Sequence, residues 1–291
     1  MAEYTSTHAP SADEPDEAES TDAAEPAGST GTLSEFLVSL IWLATGMYTA
    51  HATLTAGGEG PTGALAAAAE ALPGLVAATI VTGASIGHAA GSRFRSTGGR
   101  LLAGLGVGLV FGAVSAFAIR LAYGDESSIM VLAITVGAAS VLGGAAAALP
   151  DAVLGAGLWA TTWVFFAGVI FGVWQSTWLS PDAIPQQATI QSVVTGLIAA
   201  VYASRTLRNE GRGGLWYFVA GALPGLMLLA AEGLTRVGGS SVAAIVDGLP
   251  GENAVPVELS DTAQLRHALI VLAVGGLLAL LASIRHRRVA D

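Results

Sequence analysis

Residues 101–122 read LLAGLGVGLVFGAVSAFAIRLA, with Arg120 as their one charge. The run matches the ~20 mostly apolar residues that a helix needs to cross a bilayer. Gly104, Gly108 and Gly112 repeat at every fourth position, so they share one helix face, where small residues let another helix approach closely. The Gly104-x-Gly106-x-Gly108 pattern is not read as a nucleotide loop, because no strand precedes it and the whole run is intramembrane.

Working outward, seven more runs of this kind lie at roughly 34–56, 66–91, 128–149, 152–176, 186–204, 215–236 and 265–284. The expected fold is all-α: a polytopic integral membrane helix bundle of about eight transmembrane helices. The glycine device recurs at Gly83, Gly87 and Gly91, at Gly168 and Gly172, and at Gly221 and Gly225. Composition agrees, since 53% of the 291 residues are hydrophobic and 12% are charged, too apolar for a surface that faces water all round. The absence of cysteine excludes disulfides, thiolate metal sites and a cysteine nucleophile, and the low basic content argues against nucleic acid as a partner. The partner implied by composition is the lipid bilayer, with a homo-oligomer or a larger membrane complex left open.

Charge divides the chain into two parts. Residues 1–31 hold eight of the 22 acids and no base, with little that could repay ordering, and are read as a disordered acidic cytoplasmic tail. They also lack the basic and apolar regions of a signal peptide. Residues 32–291 form the transmembrane domain. All twelve bases are arginine, and nine of them (Arg93, Arg95, Arg100; Arg205, Arg208, Arg212; Arg285, Arg287, Arg288) fall on one side if eight runs cross. The expectation is therefore a cell-membrane protein with cytoplasmic N- and C-termini. The weakest point is the Leu149-Pro150-Asp151 turn, which carries no base of its own. Trp42, Trp159, Trp163, Trp174, Trp178 and Trp216 are read as interface anchors. The segment 237–264 is read as one long outer loop, with Val242–Val246 a candidate interfacial helix.

The two arginine loops resemble each other. Val81-Thr82-Gly83 precedes Ser92-Arg93, as Val194-Thr195-Gly196 precedes Ser204-Arg205, and paired glycines follow each loop. This is the pattern of a parallel 4+4 repeat with halves 32–149 and 150–291. Compositional likeness among Ala/Gly-rich helices is the competing explanation, and the sequence leaves the two level.

Ionisable residues inside spans are costly and are functional candidates, each needing a partner. The candidates for a substrate or ion pathway are His51, Glu70, His88, Arg120, Glu232 and Arg236. All but His88 fall toward the outer side in this topology. Glu232 and Arg236 are spaced for a helical ion pair. Arg120 has no such neighbour on its own helix and looks across the bundle to Glu70 or Glu232. Gln186, Gln187 and Gln191 add hydrogen-bonding groups at the same depth, which together would line an outer polar vestibule. No helix presents two histidines at metal-ligand spacing, so no metal or cofactor is expected. No catalytic motif is present, so no catalytic residue is assigned.

The reading that follows is a transporter or channel-like permease for a small solute or ion. A non-catalytic membrane subunit or scaffold of a larger complex is the alternative, and a lipid-directed membrane enzyme stands third.

Overall fold

The computed structural model describes residues 29–56, 61–124, 127–178, 184–208, 210–247 and 262–290. Eight helices follow in order: α1 Ser29–Ala56, α2 Pro61–Gly91, α3 Thr97–Tyr123, α4 Ser127–Ala145, α5 Asp151–Trp178, α6 Ile184–Leu207, α7 Gly214–Asp247 and α8 Thr262–Ala290, with a 3-10 turn at Ala146–Ala148 between α4 and α5. No strand occurs among the described residues. Among the described residues, seven helices are long and apolar enough to cross a membrane, and α1 contributes the shorter apolar stretch Phe36–Ala52. The chain is a polytopic membrane helix bundle. Its acidic tail lies outside the described residues, except that α1 already begins at Ser29, inside the segment read as tail.

Burial separates inner from outer helices. The apolar span of α2 is 72% buried and that of α3 only 28%, so α2 is central and α3 peripheral. The outer face of α3 shows Leu102, Leu109, Val110, Val114, Phe117 and Leu121, a continuous apolar surface suited to lipid.

Glycine determines how closely the helices approach. Gly104 on α3 and Gly144 on α4 cross so tightly that a Cβ on either would lie 2.2 Å from the other's carbonyl oxygen. Gly221 on α7 and Gly275 on α8 make the corresponding contact. In each set of four helices the second and third pack on the fourth, and the sets meet chiefly where α7 lies against α2 and α4 and where α5 lies against α1 and α2. The sets also differ: α5 packs along α7, whereas α1 does not pack along α3 among the described residues.

Buried hydroxyls are handled in one way almost throughout. Thr79, Thr82, Thr135, Thr161 and Thr195 each donate to the carbonyl four residues earlier, at 2.7 to 2.9 Å. In a medium without water this returns a polar group to its own helix.

Two expectations are corrected. Helix α7 runs on to Asp247, past the expected end at 236, so Val242–Val246 continues α7 and is not a separate interfacial helix. Gly-Gly-Ser-Ser at 238–241 reads as loop chemistry, but Gly238 packs against α4, where a Cβ would meet Thr135 Oγ1 at 2.7 Å. The hydroxyls of Ser240 and Ser241 return to Val237 O at 2.9 and 3.0 Å. Tertiary packing here overrides local propensity. The second correction concerns Trp42: with α1 starting at Ser29, it stands near the middle of its helix and not at an end.

Candidate functional site

A cavity of about 670 Å³ is reached by Gly74 of α2, Gly168 of α5, Gln191 of α6, Glu232 and Thr235 of α7, and His267 of α8. It also touches Ala188 and Gln264, in the first turns of α6 and α8, so it extends toward the end of the bundle opposite the arginine loops. A second cavity of about 470 Å³ shares Gly74, Ala77, Gly168, Leu228 and His267 with it and adds Trp42 and Phe165. A third, of about 320 Å³, joins at Ala188, Ala263 and His267. The first two adjoin between the two sets of four helices, and the third lies within the second set, between α6 and α8.

Glycine makes this room. A Cβ at Gly74 or at Gly168 would meet nothing within 4 Å, so these two glycines bring no helix closer. The face expected to serve helix packing on α5 instead borders open space at Gly168.

The polar lining is compact. Glu232 is 6% exposed, and its Oε1 accepts from Arg236 Nε at 2.8 Å. Thr235, one turn on, is 3% exposed, and its hydroxyl has no hydrogen-bond partner among the described residues. It departs from the back-bonding habit of the other threonines, and an unmatched buried hydroxyl costs about 1–3 kcal/mol. Ser192 Oγ lies 2.6 Å from Ala188 O and 2.7 Å from His267 Nδ1. A carbonyl cannot donate, so the single hydroxyl proton occupies the first contact and Nδ1–H must donate in the second. In the neutral form of the ring, Nε2 of His267 is then the acceptor.

Of the sequence candidates, Glu232 lines the cavity and Arg236 holds it. The side chain of Glu70 lies outside the described residues, as do those of Gln186, Gln187, Trp174 and Trp178. Arg120 is exposed on α3, which packs on α2, α4 and the 3-10 turn and does not reach α7. It is therefore not a partner of Glu232. His51 is exposed, with Nδ1 3.1 Å from Tyr123 Oη, and borders none of the three cavities. Thr235, His267 and Ser192 were not singled out from sequence. Trp42, read as an interface anchor, packs edge-on against Phe165 with ring centroids 5.9 Å apart and lines the 470 Å³ cavity.

His88 belongs to a separate cluster at the arginine end. Arg100 donates from Nε to Phe94 O at 3.0 Å and from Nη1 to Leu149 O at 3.4 Å, and it forms an ion pair with Asp151. His88 Nε2 stands 4.0 Å from Asp151 Oδ1. The base missing from the Leu149-Pro150-Asp151 turn thus arrives from α3. Arg100→Ala should lower stability by about 1–2 kcal/mol, the upper part of the range for charged hydrogen bonds being discounted because Asp151 is 48% exposed. Unfolding in detergent checks this, and Arg100→Lys should recover only part of the loss, since an ammonium cannot make the same fork.

No cluster of three metal-ligating side chains occurs among the described residues. Compared with known proteins, the chain matches no family model, no curated relative and no solved structure.

Proposed function

We propose that this chain is a multi-pass permease of the cell membrane, with both termini cytoplasmic, that moves a small organic solute through the region between its two four-helix sets. One observation carries the reading: a 670 Å³ cavity, bordered by the buried carboxylate of Glu232, lies where the two sets meet and extends to one end of the bundle. Its volume falls in the range of small-molecule sites. An intramembrane carboxylate beside such a space is a functional group by default. The arginine bias supplies the orientation, which makes the cavity outward-facing.

The subunit reading has less support. Few buried charges and short loops agree with it, but the glycine faces of α3 and α7 that would serve a partner are occupied by α4 and α8.

The test is efflux from proteoliposomes loaded with a mixed pool of small metabolites, read by mass spectrometry. Wild type should deplete a subset of the pool. Gly168→Leu, which has room at its Cβ but fills the cavity, and Glu232→Gln should each slow that depletion about tenfold or more. Identical profiles for wild type, Gly168→Leu and empty liposomes would overturn the permease reading.

A further inference from the structure

Resting on that reading, we infer that the solute is an organic amine, bound as its ammonium with its apolar body against Trp42 and Phe165. Beside the amides of Gln191 and Gln264, which can donate or accept, the polar lining offers three acceptors. Glu232 keeps lone pairs beyond the one that meets Arg236, and no other donor reaches its carboxylate among the described residues. His267 Nε2 is an acceptor in the neutral ring, because Nδ1 is committed to Ser192. Thr235 Oγ1 is buried without a partner and borders the same space. An ammonium has three donors and no acceptor, so it suits this set, whereas a carboxylate ligand would bring more acceptors to meet them.

Charge points the same way. The Glu232 side chain is 5% exposed and that of Arg236 is 43% exposed, so the anion is screened less than its cation. Arg266 is exposed and engages Thr189 Oγ1 at 3.2 Å. A bare metal ion fits poorly, since hard cations take six or more oxygen ligands and the one carboxylate shown here is already shared with Arg236. The adjoining 470 Å³ space, with Val164, Val169 and Leu228 beside the two aromatic rings, accepts an aromatic or aliphatic body and leaves the head near Glu232.

Equilibrium binding to the full chain in nanodiscs, with empty discs subtracted, tests this with three probes of one shape: 2-phenylethylamine, 3-phenylpropionate and 2-phenylethanol. The amine should bind at least tenfold tighter than either of the others. Glu232→Gln should weaken amine binding at least tenfold and leave the alcohol unchanged. Thr235→Val should weaken amine binding severalfold without lowering the melting temperature of the ligand-free protein, because the hydroxyl it removes has no partner there. A purely structural threonine would show the opposite pattern.

Equal or tighter binding of the carboxylate, amine binding indifferent to both substitutions, or no amine binding would overturn the inference. Counterflow in proteoliposomes separates it from the permease reading. An amine that binds through Glu232 but is never exchanged sinks the permease and leaves the amine site. Exchange of 3-phenylpropionate that Gly168→Leu blocks does the reverse.

Discussion

Gly144→Leu should leave no stable bundle. Even its Cβ would lie 2.2 Å from Gly104 O and 3.0 Å from Gly104 C, and these are backbone atoms that cannot rotate aside. From the other neighbour, α2 is also close, since a Cβ on Gly87 would lie 3.0 Å from Gly144 Cα. Helix α4 therefore cannot move away from α3 on this side without pressing on α2. Opening the crossing would also break the bond from Ser140 Oγ to Gly108 O, 2.8 Å long. Adding one methylene to a packed core costs about 1–3 kcal/mol, and four carbons against two backbones should exceed that range. The expected result is loss of the monodisperse peak in size-exclusion chromatography after extraction. Gly106→Leu is the control. It sits on the exposed face of α3 with nothing within 4 Å of a Cβ, and should not lower stability, since leucine is the better helix former by up to about 1 kcal/mol. Equal behaviour of the two variants would mean that the glycine crossing does not hold α3 to α4.

Arg236→Ala should cost about 3–5 kcal/mol, the usual penalty for leaving a buried charge without its partner. The reciprocal change should cost far less. Glu232→Ala frees an arginine whose side chain is already 43% exposed and whose long stem can carry its charge to water or headgroups. Combining Arg236→Ala with Glu232→Gln removes the orphaned charge and should recover most of the loss. Chemical unfolding of the three variants in one detergent gives the comparison. A loss for Glu232→Ala as large as that for Arg236→Ala would show that the pair is not held for the carboxylate's sake.

How much of this could be read from the residues depends on which interactions are local. The spans were legible because lipid demands a run of apolar residues of set length, and the glycine faces because helix periodicity places every fourth residue together. Glu232 with Arg236 was legible for the same reason. The end of α7 was not, because Gly-Gly-Ser-Ser has turn chemistry, whereas its packing against Thr135 on α4 and Leu72 on α2 is tertiary. The expected spans put Arg120 and Glu232 at similar depth, but position around the bundle is set by which helices are neighbours, and α3 is not a neighbour of α7 among the described residues. Thr235 was the least legible. Its sequence context resembles that of the other helical threonines, and what sets it apart is a hydrogen bond it does not make. His267 lies two positions inside the expected span 265–284, where it has no local partner. Its role depends on Ser192, 75 residues away in the chain.

The bare glycine walls at positions 74 and 168 have a consequence for descent with modification. Because neither residue supports a neighbouring helix, each can change to alanine, serine or valine with little penalty to folding, and each added carbon trims the space from one side. On the proposed permease reading, the range of solute sizes admitted is then a trait that single nucleotide changes can shift in small steps, while Glu232 and Thr235 are left as they are. Divergent copies of this chain should therefore differ first at these two positions.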